Sequence, residues 1–257
     1  SFTGNAAISV AEPGDGGGLF TEASGLEVLR CTFVGNTAGA GGGGFYAFNQ
    51  DSSRVSDCQF AANSATWAGA AFLERSRAAL SNCDFDGNTA TSGAGAIEVT
   101  DGDNFILGCS FTNNSTAAFD GGAIQSWAGE IQLTGCTFRA NTAPVGGGAI
   151  WLAGVRATLS DCVFIDNVAP RGGAVRWQSA TPTFTRCTLV GNAGSVGGGG
   201  LFLGASSGAV LDRCIVAFSP QGAAIGGTTT GSISLTCCDL YGNAGGDYVN
   251  GLFGQDL

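Results

Sequence analysis

The chain reads Cys-Gln-Phe-Ala-Ala-Asn at residues 58–63, and the frame Cys-x-Phe-x-x-Asn returns with small variations along its length. Successive cysteines of this frame are 24 to 27 residues apart. A period of this size held over a whole chain is typical of repeat architectures, in which each unit buries its apolar edge by stacking on its neighbours. The frame begins at Cys31, Cys58, Cys83, Cys109, Cys136, Cys162, Cys187, Cys214 and Cys238.

Each repeat contains three short segments with the character of β-strands. The first carries an apolar residue three positions before the cysteine, such as Val55. The second holds the cysteine and the Phe-type residue, whose side chains share a face because strand side chains alternate. The third follows the glycines, as at Ile97 and Ile124. Runs such as Gly41–Gly44 exclude a solenoid of long helices.

These segments predict an all-β fold, a single-stranded parallel β-helix of about ten coils with three short strands per coil. The asparagines of the frame predict a ladder at a corner of the coil, because asparagine tolerates a left-handed backbone and bonds turn amides. The unbroken repeat predicts one domain over residues 1–257. Phe2 and Asn5 already stand at the spacing of Phe33 and Asn36, so we expect a segment of a longer protein.

The composition excludes several classes of function. Twenty acidic residues against ten basic ones give a formal net charge of −10, which disfavours nucleic acid as a partner. The chain has no histidine, the commonest metal ligand and general base, and we expect neither a metal nor a cofactor. No apolar run approaches the length of a membrane span, so we expect no direct insertion into a membrane.

Two recurring motifs resemble those of chlamydial polymorphic outer-membrane proteins and related secreted bacterial β-helix repeat proteins. The Phe-x-x-Asn motif stands at Phe2–Asn5, Phe33–Asn36, Phe60–Asn63, Phe85–Asn88, Phe111–Asn114, Phe138–Asn141 and Phe164–Asn167. The Gly-Gly-Ala-(Ile/Leu/Val) motif stands at Gly121–Ile124, Gly147–Ile150 and Gly172–Val175. The resemblance implies a right-handed β-helix, extracellular or on a bacterial cell surface, that is often adhesive.

The column of cysteines has three interpretations. The thiols could be free and buried as small apolar fillers, they could form disulfides from coil to coil, or they could bind a soft metal. Neighbours on parallel strands stay about 4.8 Å apart, whereas a disulfide needs Cβ atoms about 3.5–4.5 Å apart, which favours free thiols. Cys237 precedes the column member Cys238, so it should face outward and react most readily.

Candidates for catalysis are few. Asp84 and Asp86 should face outward on one coil, where they could hold a cation or act as the two carboxylates of a glycosidase. They have no matching acids on the neighbouring coils, and the chain has no lysine to serve as the base of a lyase. The sequence therefore favours a protein that is not an enzyme, with a β-helix polysaccharide lyase or glycoside hydrolase as the alternative.

One outward column is more apolar than an inert surface requires. We predict this column from the residue that follows the first apolar residue of the third strand in each repeat. Exposed apolar patches often mark interaction sites, and flat aromatic rings suit sugars or proteins. The residues predicted to bind a ligand are Phe20, Tyr46, Leu73, Trp151 and Phe202.

The sequence thus predicts an adhesive or structural module that binds a glycan or a host or cell-surface protein through this aromatic column. A segment of a self-assembling fibre is a further alternative, because the end of a β-helix exposes a coil of unpaired backbone groups that can stack end to end.

Overall fold

A computed structural model describes residues 1–8, 16–22, 25–49, 52–228 and 232–247. The predicted parallel β-helix is confirmed. The coils pass through three long sheets, and those up to Thr116 also pass through a fourth, shorter one; neighbouring coils pair in parallel throughout the described residues. Because the pairing is between equivalent residues of successive repeats, a residue type that recurs in the sequence forms a column in space.

Sheet 1 is a stack of ten strands that carries the Phe-type residues. Its strands are Phe2–Thr3, Thr32–Val34, Gln59–Ala61, Asp84–Asp86, Ser110–Thr112, Thr137–Arg139, Val163–Ile165, Thr188–Val190, Ile215–Ala217 and Asp239–Tyr241.

Sheet 2 is a narrow stack that the sequence did not predict. Its strands are Ala6–Ala7, Thr37–Ala38, Ser64–Ala65, Thr89–Ala90 and Ser115–Thr116. Beyond Ser115 the stack continues only as single bridges through Thr142, Val168 and Ala193. Pro144 and Pro170 lie close to these bridges and have no N–H to offer a ladder, which is consistent with the change.

Sheets 3 and 4 each contain nine strands. The strands of sheet 3 are Leu19–Glu22, Phe45–Phe48, Ala71–Glu74, Ile97–Thr100, Ile124–Trp127, Ile150–Ala153, Val175–Gln178, Gly198–Leu203 and Ala223–Gly227. The strands of sheet 4 are Leu26–Leu29, Ser53–Ser56, Ala78–Ser81, Asp103–Leu107, Glu130–Thr134, Arg156–Ser160, Thr183–Thr185, Gly208–Asp212 and Ser232–Thr236.

The interior is filled by columns of identical side chains. The phenylalanines of sheet 1 stack face to face from Phe2 to Phe164, with ring centroids 4.6 to 4.8 Å apart. Their interplanar angles are 2 to 6°, so the rings lie parallel and repeat with the same spacing as the backbone strands. Burying each such ring stabilises the fold by about 1.5–3 kcal/mol.

The asparagines form a second internal column, beside the phenylalanines. Asn63 donates its Nδ2–H to Oδ1 of Asn88 at 3.0 Å and to the carbonyl of Phe33 at 2.8 Å. The backbone N–H of Asn63 also donates to Oδ1 of Asn88. Each carboxamide therefore satisfies backbone groups that the turn would otherwise leave unpaired inside the protein.

The prediction that these asparagines adopt the left-handed backbone is wrong, although the ladder itself is confirmed. Positive φ angles belong instead to the residue before the asparagine, such as Gly35 and Ala62. A second left-handed corner lies at the residue before each cysteine, such as Asp57 and Cys237. The asparagine is needed for its side-chain hydrogen bonds, and the preceding residue makes the turn.

All ten cysteines are free thiols in the structure. Cys58 to Cys214 of the column are buried, and their sulfurs donate to carbonyls at the corner, as Cys58 does to Ser56 at 3.1 Å. Burial raises the pKa of the Cys58 thiol to about 11. Cys237 is exposed, as its position before the column predicts.

Candidate functional site

The outward column of sheet 3 begins with Phe20, Tyr46 and Phe72 and continues with Glu98. The prediction that Leu73 belongs to this column is wrong. Phe72 pairs with Tyr46, and Leu73 points into the core with no exposed surface. The strand begins at Ala71, one residue earlier than the apolar pattern indicated, and a shift of one residue moves a side chain to the opposite face.

Most of the column is covered. Phe20 is 45% exposed, but Tyr46, Trp151 and Phe202 are only 6 to 7% exposed, so the prediction of a solvent-facing column is wrong for these three. The cover is the glycine-rich segment that precedes each strand of sheet 3. A Cβ at Gly197 would lie 2.5 Å from the ring of Phe202, so only glycine allows this close approach.

Farther along the column, a polar network holds this cover in place. Arg176 forms an ion pair with Asp120, and both side chains are largely buried. Burial raises the pKa of the Asp120 carboxyl despite the neighbouring arginine. The carboxamide of Gln125, oriented to satisfy both of its groups, donates to the carbonyl of Asp120 and accepts from the indole N–H of Trp127. This part of the column is therefore a buried contact within the protein and not an exposed surface.

An open cleft lies on the same sheet, between the third and fourth of its strands. Its volume is about 450 Å³. Ala71–Glu74 and Ile97–Thr100 provide its floor, and the segment before the first of these strands provides Trp67. The lining residues are Trp67, Phe72, Glu74, Arg75, Glu98, Thr100 and Asp101.

Two aromatic side chains, Trp67 and Phe72, line this cleft. Trp67 is 43% exposed. Phe72 is half-buried and stacks on Tyr46, with ring centroids 4.9 Å apart and an interplanar angle of 11°. The Tyr46 hydroxyl in turn donates to the carboxylate of Glu74. The stacking and this hydrogen bond hold Phe72 and Glu74 in fixed positions beside the exposed indole.

The floor of the cleft holds a buried acid. Glu98 is only 4% exposed, and this burial raises the pKa of its carboxyl to about 8, although the Ala94 N–H favours the charged form. The negative charge of Glu74 raises this pKa further. At neutral pH the Glu98 side chain is therefore mainly a neutral carboxylic acid with one O–H to donate.

Asp84 and Asp86 lie elsewhere. Both are exposed on the outer face of sheet 1, where Asp84 accepts from the Ser110 hydroxyl and Asp86 from the Asn113 amide. Asp84 borders a second cleft of about 430 Å³. No group of three or more potential metal-ligating acids or cysteines occurs within the ranges that the structure describes. A catalytic role for these two aspartates remains a prediction.

None of the seven residues that line the open cleft is among the residues predicted to bind a ligand. Trp67 precedes the glycine-rich segment and belongs to no recurring column, so the periodic pattern does not reveal it. Glu98 is the second residue of its strand, in line with the outward column, and the segment before that strand covers it: a Cβ at Gly93 would clash with Glu98 Oε2. The available signal was an acidic residue that directly follows three aromatic residues in the column.

Comparisons with known families agree with this architecture. Residues 1–95 match the model for a right handed beta helix region. Residues 135–153 match the model for the Chlamydia polymorphic membrane protein repeat. No curated protein and no solved structure matches the chain.

The chain is therefore a right-handed β-helix repeat protein that resembles chlamydial polymorphic membrane protein repeats. The repeat match suggests an outer-membrane or surface protein. Among the described residues, no helix has the length and hydropathy needed to cross a bilayer.

Proposed function

We propose that this chain is a surface-displayed β-helix without enzymatic activity, which binds an extracellular glycan through the open cleft of sheet 3. The observation that carries the proposal is that the exposed Trp67 ring and the stacked Phe72 ring line one cleft together with several polar groups. Sugars present flat apolar faces and edges of hydroxyl groups, so a site with aromatic walls and a few placed polar groups suits them.

This proposal keeps the glycan interpretation of the aromatic column but moves the site. Of the predicted ligand-binding residues, Tyr46, Trp151 and Phe202 are covered and Leu73 is in the core, whereas Phe20 is exposed. Tyr46 supports the site from beneath, because it stacks under Phe72. The repeat resemblance supports display at a surface, where glycans are available.

The experiment that tests this function measures retention of the purified protein on a panel of neutral and acidic polysaccharides, and assays new reducing ends and unsaturated products in parallel. We expect retention without products. Trp67→Ala should weaken retention. Phe105→Ala is the matched control, because Phe105 is also an exposed aromatic, 37% accessible, but lies on sheet 4. Equal retention of both variants would contradict the proposed site.

A glycoside hydrolase is the second candidate function, and one observation favours it. Glu98 is a protonated acid, and Glu74 lies on the same outward face of the adjacent strand, two residues out of register with it. A raised-pKa acid paired with a second carboxylate is the arrangement that glycosidases use. Release of new reducing ends by the wild type, abolished in Glu98→Gln, would establish this activity in place of binding alone.

A further inference from the structure

The floor of the open cleft leaves two polar atoms without a hydrogen-bond partner. They are Oε2 of Glu98 and Oγ1 of Thr100, both shielded from solvent. The two residues stand two apart on one strand, so both side chains are on the outward face of sheet 3. Buried polar groups are nearly always paired, so these two atoms mark the places in the cleft where a bound molecule would supply hydrogen-bond partners.

The rest of the cleft restricts the chemistry of that ligand. Trp67 and Phe72 offer apolar ring faces, which suit the C–H face of a pyranose. The charged side chains around the opening are Glu74, Asp101 and Arg75, so the carboxylates outnumber the cation. An anionic ligand would meet net repulsion there, whereas a neutral one would not.

We propose that this cleft holds one pyranose ring of a neutral glycan, with Trp67 and Phe72 against the ring face and with Glu98 and Thr100 hydrogen-bonded to its hydroxyl groups. The inference rests on the proposed function and adds to it the ligand class and a specificity-determining residue, Glu98. The protonated carboxyl donates its O–H to a sugar oxygen, and the Thr100 hydroxyl can donate or accept.

Binding should then depend on pH through Glu98. The titratable or charged groups that face it are Glu74 on the adjacent strand, with Arg75 beyond it, and Asp101 at the end of its own strand. On its other side it pairs with Gln125, which does not titrate. The donor is present below the Glu98 pKa of about 8 and is lost as pH rises through it. From pH 6 to pH 9 the neutral fraction falls about tenfold, and the affinity should fall by the same factor.

The test uses the full chain and calorimetric titration at pH 6 and pH 9. The neutral probes are cellohexaose, maltohexaose, mannohexaose and galactohexaose, and polygalacturonate is the acidic probe. We expect at least one neutral probe to bind, the acidic probe to bind more weakly, and the neutral affinity to fall about tenfold at pH 9.

Variants separate the contribution of Glu98 from folding. Glu98→Gln keeps the size and an amide donor, so its affinity at pH 6 should stay within a few fold of wild type and should no longer change at pH 9. Thr100→Val should weaken binding equally at both pH values. Thermal unfolding of each variant, compared with Phe105→Ala, shows whether the β-helix is intact.

The outcomes distinguish this inference from the proposed function. The inference is overturned if the wild type binds a glycan but Glu98→Gln shows the same fall in affinity at pH 9. It is also overturned if polygalacturonate binds more tightly than every neutral probe. In both cases the proposed function of glycan binding stands, with a different ligand chemistry or a different site. If the wild type binds none of the probes, both are overturned.

Discussion

The carboxamide of Asn63 donates to that of Asn88 at 3.0 Å, one coil further along the β-helix. Asn88 repeats the contact with Asn114, also at 3.0 Å. Because each carboxamide also bonds backbone groups of its neighbours, the column joins successive coils from Asn5 to Asn192 through hydrogen bonds. The resulting framework holds sheet 3, and with it the open cleft, in a fixed position.

Replacing Asn88 with alanine should destabilise the protein strongly. The change removes four buried hydrogen bonds: Asn63 N and Asn63 Nδ2 lose the Asn88 Oδ1 acceptor, and the Phe60 carbonyl and Asn114 Oδ1 lose the Asn88 Nδ2 donor. We expect a loss of about 2–4 kcal/mol in the free energy of unfolding, from the buried hydrogen bonds that are lost. Urea denaturation measures it.

Thr89→Ala is the matched control for Asn88→Ala, because the neighbouring Thr89 side chain is exposed. It should change the free energy of unfolding by less than about 0.5 kcal/mol. A loss in Asn88→Ala no larger than in this control would show that the column is not a source of stability.

The phenylalanine stack should tolerate a change of shape better than a loss of volume. Phe111 is fully buried between Phe85 and Phe138. Phe111→Ala should cost about 3–5 kcal/mol, because it leaves a cavity in a column that cannot close. Phe111→Leu should cost less, since Leu189 occupies the equivalent place in a later coil. Equal losses in the two variants, measured by denaturation, would contradict this account of the core.

Thiol reactivity should identify Cys237 as the first cysteine to be modified. It is exposed, whereas burial raises the pKa of Cys58 to about 11 and keeps that thiol protonated at pH 8. Native protein treated with an aromatic disulfide reagent should show one fast phase, which disappears in Cys237→Ser. A fast phase that persists in this variant would place the reactive thiol elsewhere in the chain.

The stability of the protein should fall as pH rises from about 4.5 towards 8. Glu98 binds a proton in the folded state up to its pKa of about 8, whereas the unfolded chain releases it near 4.5. The unfolded state therefore holds fewer protons in this range, and the free energy of unfolding decreases by an amount on the order of 4 kcal/mol. Denaturation at several pH values measures the slope.

Glu98→Gln tests the origin of that slope, because glutamine does not titrate. The variant should show a flatter profile between pH 4.5 and pH 8, with its remaining slope coming from other groups such as Asp120, whose pKa is also raised by burial. An unchanged profile would mean that Glu98 is ionised in the folded protein.

The sequence predicts the columns of this fold well and its surface less well. The Phe and Asn columns follow directly from the repeat, because parallel pairing places equivalent residues on top of one another. Leu73 and Phe72 show where this reasoning fails. The repeat length varies by a few residues, and a one-residue difference in where a strand begins exchanges the two faces.

The open cleft could not be predicted from the repeat for a different reason. Trp67 lies in the segment between two sheets, and Glu98 belongs to the following coil. Their proximity depends on the path of the glycine-rich segments over sheet 3, which the periodic pattern does not specify. The same segments cover Tyr46, Trp151 and Phe202, which the alternation of strand residues places outward.

The most direct test of the central claim follows the indole N–H signals of the four tryptophans by NMR during titration with a neutral oligosaccharide. Trp177 is the internal reference, because its indole is buried and donates to the Gly208 carbonyl at 2.8 Å. The Trp67→Phe variant lacks the indole N–H of Trp67, so the signal that disappears from its spectrum is assigned to Trp67. The account predicts that the Trp67 signal shifts in a saturable manner while that of Trp177 stays in place. A saturating glycan that leaves the Trp67 signal unchanged would contradict it.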